Sequence, residues 1–513
     1  MLLASCVKDL GNYEYDFDSV PKIKIDTAGV SFADIYKEWN QGDTINCAPR
    51  VVYENGNPED LEFSWFVMDF YYSTVQVGND EVYPPADTIS HDLQLNYIVD
   101  LEPGSMYQLW LKAEDKKKDL RTYFRATSFV QVVAEGTCYG MYCLQQKDGR
   151  IDIDVLGSSR ALIQTEKHEV DYWSRLHPGD ILTGEVKLFH YSTVGGWFYL
   201  FTDTRGMRIS PRNMVIMEEW EDMFYSVPDV YDPQALVSIN GADYLINDGK
   251  LHILTPTASD RHFTAPIPGD YNLAPFLASQ TKKDWGHVDG AIDADAVVFD
   301  LKQNGFRPYY NGGTALGRFN ETLPDALFDL NNMKGRFLYA NSVNSDELMC
   351  IMVREDGTPW LDVLSIDNVV DNGNLARYSM SLEGCPGIAE ASCFASGEAG
   401  PSLFYGIGNK VYSFSYATGQ TSAHLMWEGA PGEEITCLQI IGTGGFPMSG
   451  RMLWICVWNP STQKGRIVEF EFNPINGEPE SVYGPEYSGI DENPVIWDGY
   501  GKVLYMKEKH AYN

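Results

Sequence analysis

From residue 139 onward the chain repeats one pattern: an apolar strand, a tight polar turn, and a second apolar strand ending near Tyr or Phe. Residues 139–144 turn at Lys147-Asp148-Gly149-Arg150 into 151–155, and residues 243–246 turn at Asn247-Asp248-Gly249-Lys250 into 251–254. Asp-Gly between apolar runs is a strong short-range hairpin signal. The pattern returns at 296–310, at 348–353 before Glu355-Asp356-Gly357, at 403–414, at 453–470, and at 495–506 around Asp498-Gly499-Tyr500-Gly501. Such a unit reads as the inner hairpin of a propeller blade. The spacing of roughly 40 to 60 residues covers the periods of known blades. At ~45–50 residues per blade, 136–513 has room for about seven, or at most eight. The rival architecture is one large antiparallel sandwich. Residues 156–235, which hold Trp173, Trp197 and Trp220, show no clear copy, so they are expected to form a degenerate blade, an insertion, or both.

The texture ahead of residue 136 differs. Ile23 and Ile25 alternate with lysines, as a strand with one buried face requires. Further short strands are expected at 44–52, 61–67, 93–99, 107–113 and 123–133. Asn55-Gly56-Asn57-Pro58 and Glu102-Pro103-Gly104-Ser105 supply turn chemistry between them. That spacing predicts a PKD/Ig-like β-sandwich over 21–135. Trp65 is its expected core anchor. The whole chain is therefore expected to be all-β, and 13% aromatic residues with 46 Gly and 26 Pro suit that class.

The first residues carry a different signal. Leu2-Leu3-Ala4-Ser5-Cys6 looks like the end of a bacterial lipoprotein signal peptide, in which the cysteine receives the lipid. Residues 1–5 would then be the remnant of a longer leader, because five residues cannot form the 7–15-residue apolar region of a secretory signal. Residues 6–20 read as a lipidated acidic tether. No later run approaches the ~18–20 apolar residues of a membrane helix, so attachment is expected through the lipid on Cys6.

Gly42-Asp43-Thr44, Asp60-Leu61-Glu62-Phe63-Ser64-Trp65, Leu101-Glu102-Pro103-Gly104 with Tyr107, and Ala113-Glu114-Asp115 resemble the PKD-like family lipoproteins of Bacteroidetes. The tether is similar too, with Lys8-Asp9 and Gly11-Asn12-Tyr13 behind the cysteine. The resemblance implies an outer-membrane lipoprotein facing the cell exterior. It also implies an accessory role beside a Sus-type importer, whose partners would be a TonB-dependent SusC-like barrel and a SusD-like lipoprotein. Such a protein would hold an oligosaccharide or peptide, or brace the importer, without catalysis.

Lys and Arg number 38 against 72 Asp and Glu, a net charge of −34 that repels phosphate backbones, so nucleic acid is excluded as a partner. No nucleophile elbow, phosphate loop, His-Glu-x-x-His or dinucleotide fingerprint occurs, and no catalytic residue, metal ligand or cofactor is assigned. Asp289, Asp293 and Asp295 could ligate calcium, but a solvated acidic loop is the preferred reading. Asp152 and Asp154 alternate on one strand and are expected on its outer face. The remaining candidates are aromatic: Trp173, Trp197, Trp220 and Trp285 with His287, whose rings could stack on a bound sugar or receive peptide side chains. Among the nine cysteines, Cys138 with Cys143, Cys385 with Cys393, and Cys437 with Cys456 are conceivable pairs, although most such residues are small buried apolar groups. The alternatives to a binding protein are a surface hydrolase or lyase with its site on the propeller face, and a purely structural or adhesive module.

Overall fold

A computed structural model describes residues 19–28, 30, 38–40, 42–69, 75–77, 80–82, 86–101, 106–133, 140–158, 160, 166–211, 214–239, 241–255, 261–278, 296–310, 312–342, 347–365, 376–397, 400–417, 419–442, 450–479 and 494–509. The chain divides into two compact units, Met1–Thr137 and Cys138–Asn513.

The first unit contains a five-stranded sheet in the order Glu38–Asn40, Leu120–Val133, Met106–Asp115, Glu62–Asp69, Asp87–Ser90. Against it lie two strand pairs, Lys22–Asp26 with Arg50–Glu54 and Thr44–Cys47 with Leu95–Ile98. The inward residues of both layers form one core. Trp65, Val67, Leu109 and Leu111 meet Ile45, Leu95 and Val99 there. Trp65 is fully buried opposite Leu111, and its indole N–H donates to the Leu93 carbonyl at 3.3 Å, so the polar handle of this large ring is satisfied.

The second unit contains seven antiparallel sheets among the described residues, in chain order. The second consists of Val186–Ser192, Trp197–Thr202, Gly206–Ile209 and Ile216–Glu219; the third of Pro233–Ile239, Ala242–Asn247 and Lys250–Leu254; the fourth of Leu273–Ala278, Ala296–Asp300 and Gly305–Tyr309. The fifth comprises Gly335–Ser342, Glu347–Arg354, Pro359–Ser365 and Ala376–Ser381; the sixth Cys393–Ser396, Ser402–Ile407, Lys410–Ser415 and His424–Glu428; the seventh Glu434–Ile441, Met452–Asn459, Lys464–Glu471 and Val495–Tyr500. The first sheet is composite. Gly140–Lys147, Arg150–Gly157 and Lys167–Glu169 are joined by Lys502–Lys509, which pairs with Gly140–Lys147.

Each apolar core of this unit is shared by two successive sheets. Tyr142 and Ile153 of the first meet Phe189 and Phe198 of the second, and Met349 and Ile351 of the fifth meet Leu403 and Tyr405 of the sixth. The last such core joins Trp454 and Met452 of the seventh sheet to Met141, Leu156 and Met506 of the first, which closes the ring. Antiparallel sheets packed radially and closed in this way are a propeller-type arrangement. Arg160 strengthens the same junction, with Nη1 3.2 Å from Glu469 and Nη2 paired to Glu471.

Three sequence expectations change here. The repeated hairpins are the second and third strands of their sheets, and a separate strand pairs with the first arm of each. The pair 495–497 and 502–506 is no hairpin: its halves belong to the seventh and first sheets, because ring closure takes the first strand of one sheet from the far end of the unit. Residues 156–235 hold the outer strand of the first sheet, the helix Tyr172–Leu176, and the complete second sheet.

Candidate functional site

Five of the first strands carry a bulge at one level: Lys187, Gln234, Leu338, Thr436 and Leu504 are each the unpaired extra residue. Bulges bend and twist a strand, and so re-aim the side chains beyond them. The third residues past these bulges are His190, Val237, Asn341, Gln439 and Lys507, all partly exposed. First strands of neighbouring sheets touch one another, so these residues form a mostly polar collar around the axis of the unit.

On one side of the collar, His190 Nε2 lies 2.8 Å from Ser238 Oγ, and Ser238 donates to Asp243 Oδ1 at 2.5 Å. Ser192 at 2.7 Å and Tyr199 at 2.9 Å also donate to Asp243, which is fully buried. Burial raises the Asp243 carboxyl against these three hydroxyl bonds. Burial, with Lys507 nearby, pushes the His190 imidazole well below its ordinary value, and burial also lowers the Lys507 ammonium. Because the Ser238 proton points to Asp243, the neutral imidazole donates its Nε2–H to the serine. A nucleophilic serine needs the reverse order, with the histidine between serine and acid and accepting the serine proton. On the other side, Asn341 donates to Ser396 Oγ at 2.9 Å, and the Tyr339 hydroxyl lies 3.1 Å from the same atom.

The other buried acids are held within or between their sheets. Asp154 accepts from His168 at 3.1 Å and from the Asp171 N–H at 2.8 Å; Asp152 accepts from Ser174 and from the Ile153 N–H. Both do share one face of their strand, but it is not an open one: each is fully buried, Asp154 against His168 and the Asp171 backbone and Asp152 against Ser174 of the helix Tyr172–Leu176. Asp300 takes Arg307 and two backbone N–H groups, Asp362 takes Arg354 and Ser379, and Glu469 takes Trp454 and Arg160.

The proposed stacking tryptophans are core residues. Trp173 is 0% exposed, with His177 stacked on it at 3.9 Å; Trp197 is 2% exposed beneath the Arg208 and Arg261 guanidinium groups; Trp220 is 5% exposed among Phe201, Phe224 and Tyr231. None offers an open face, because each ring fills a core between sheets. Trp285, His287, Cys6, Asp289, Asp293 and Asp295 lie outside the described residues. No His, Cys, Asp and Glu cluster suited to a metal occurs among the described residues, and no described helix is long and apolar enough to cross a membrane. The collar was missed in the sequence because its five members sit in separate short strands with no common motif; a bulge-level alignment of the first strands would have found it.

All seven described cysteines are free. Cys437 and Cys456 are direct cross-strand partners in the seventh sheet. A hydrogen bond from the Cys456 thiol, helped by Lys507, pulls the Cys437 thiol below its ordinary value, whereas burial raises Cys47 to about 11 and Cys385 and Cys393 to about 12. The thiolate is the reactive form, so Cys437 should be alkylated first among these seven. Peptide mapping after brief iodoacetamide treatment checks this, and the Cys437 rate should begin to rise at lower pH than the others.

A model described as PKD-like family matches residues 6–177. This stretch is a PKD-like family domain. The PKD-like match takes in the whole sandwich and runs on through the first sheet's outer strand and the helix Tyr172–Leu176. No curated protein matches the chain. Among solved structures, the chain is similar to a quinonprotein alcohol dehydrogenase-like protein of Bacteroides thetaiotaomicron, at 10% identity and TM-score 0.40, over 92% of this chain and 96% of that one. It is also similar to Hsv2 of Kluyveromyces lactis, at 8% identity and TM-score 0.35, over 72% and 100% of the two chains.

Proposed function

We propose that the chain is a non-catalytic surface lipoprotein, anchored through Cys6 to the outer face of an outer membrane. A seven-bladed propeller would bind an oligomeric nutrient, glycan or peptide, and support an import complex of a TonB-dependent SusC-like barrel and a SusD-like lipoprotein. The observation that carries this reading is that the PKD-like match begins at residue 6, the cysteine given the lipid. A glycoside hydrolase or lyase on the propeller face would need carboxylates open to a common cleft. The occupied, buried acids described above favour binding over that alternative. The structural or adhesive alternative is separated by ligand screening.

Cys6→Ala should move the protein from the membrane pellet to the soluble fraction, with an unchanged circular dichroism spectrum. One acyl chain binds a bilayer only marginally, so several chains on Cys6 are needed for stable anchoring. A mutant that stays in the pellet refutes the topology. Pull-down of the tagged parent from solubilised outer membranes should recover the barrel and lid pair, and recovery of neither refutes the importer role.

A further inference from the structure

A cavity of about 450 Å³ opens between the fourth and fifth sheets, bounded by Asn304, the segment from Asn332 to Arg336, and the turn from Val353 to Gly357. Its central segment is fastened on both sides. Asn304 donates to the Gly335 carbonyl at 2.5 Å and accepts from the Gly335 N–H at 3.0 Å, while its own carbonyl takes the Met333 N–H at 2.6 Å. From the other side Arg354 donates to the Met333 carbonyl at 2.7 Å.

Thus pinned, Lys334 is held at φ 51°, a left-handed conformation that a residue with a long side chain keeps only where its surroundings enforce it. A side chain at position 335 would meet the Val353 carbonyl at 2.6 Å, so the floor between Lys334 and Arg336 is bare backbone. The result is a shallow cradle with a cation on each side.

The charges of this cradle are unbalanced. Arg354 is answered by Asp362 on its inner side. Lys334 and Arg336 have no carboxylate partner among the described residues, and Arg336 makes one bond, to the Ala389 carbonyl at 3.1 Å. Glu355 is the one acid on the wall, and Val353 its one apolar side chain. In a chain of net charge −34, two exposed cations without acidic partners beside a cavity select for an anion. Guanidinium presents a planar donor pair to a carboxylate, and the Asn332 amide suits hydroxyl groups. The volume lies in the range of about 300–1,000 Å³ typical of small-ligand sites.

We propose that this cavity is an anion subsite that seats the carboxylate of a uronic-acid residue in an oligosaccharide, between the Lys334 ammonium and the Arg336 guanidinium. A peptide would call for apolar side-chain pockets or a free strand edge, and this polar wall favours the sugar. The choice of a glycan rests on the nutrient-binding half of the function proposed above; membrane anchoring and importer association are independent of it.

The test is calorimetry on the purified full chain with oligogalacturonate, with neutral oligogalactose, and with an oligoglutamate peptide. Oligogalacturonate should bind at least about tenfold more tightly than either comparator, and its binding should weaken as salt rises from about 0.05 to 0.3 M. Lys334→Gly removes the charge and relieves the backbone, and Arg336→Gln keeps a side chain of similar reach; each should weaken oligogalacturonate at least about tenfold. Arg354 is left in place because it holds Asp362. Equal affinity for the neutral sugar, tighter binding of the peptide, no binding of the uronate, or unchanged affinity in both variants overturns the subsite. Any of these can occur while the Cys6 fractionation and the pull-down succeed, so the two readings fail separately.

Discussion

Deleting Lys502–Lys509 should abolish cooperative folding of the ring. This strand pairs with Gly140–Lys147 over most of its length and buries Val503 and Met506 in the core between the seventh and first sheets. Its half-buried Leu504 and Tyr505 pack against the next core, between the first and second sheets. Fully burying an apolar side chain is worth about 1.5–3 kcal/mol, so two buried and two half-buried ones amount to about 4–9 kcal/mol, comparable with the whole stability margin of about 5–15 kcal/mol. The deletion also bares the backbone of Gly140–Lys147, an apolar edge open to pairing with other chains. Calorimetry with size-exclusion chromatography should show loss of the ring transition and the appearance of aggregates. A truncated monomer with the parent's melting temperature would mean that closure contributes little.

Trp65→Ala should act on the other unit. The ring is fully buried and fills the sandwich between Val67, Leu109 and Leu111 on one layer and Ile45 and Leu95 on the other. Truncating a buried aromatic costs about 3–5 kcal/mol, part of it lost transfer energy and part the cavity left behind. In a unit of this size that lowers the melting temperature by more than about 10 °C. Because the two units are separately compact, the sandwich transition should fall while that of the ring stays in place. Trp65→Phe, which keeps most of the volume but leaves the Leu93 carbonyl without its donor, should fall between. Loss of both transitions together would show that the units unfold as one.

What could be read from the sequence follows local chemistry. The middle hairpins were legible because Asp148-Gly149 and Asp248-Gly249 place two consecutive residues at positive φ, as a two-residue hairpin turn demands, between apolar runs. Trp65 was legible because a large ring in a largely apolar strand of a sandwich has to be buried between its layers. The first strands were not: Val186–Ser192 and Glu434–Ile441 mix polar and apolar residues and slip register at a bulge, which erases a clean period of two. The composite first sheet was hidden for a deeper reason, since pairing Gly140 with Lys509 leaves no local trace. The tryptophans misled because residue type alone does not say which side of a ring is covered. Trp173 sits in a five-residue helix with no amphipathic period to reveal its burial. The cationic cradle was equally invisible, because Asn304, Lys334 and Arg354 meet only through the stacking of two sheets.

The pairing of Gly140–Lys147 with Lys502–Lys509 also sets a timetable for biosynthesis. A ribosome delivers the two strands far apart in time, at about 5–20 residues per second, so six sheets must wait with the seventh junction unsealed. The sandwich, complete by Val133, is free to fold long before. Until the last strand emerges, Gly140–Lys147 keeps an unpaired backbone edge and the ring cannot close.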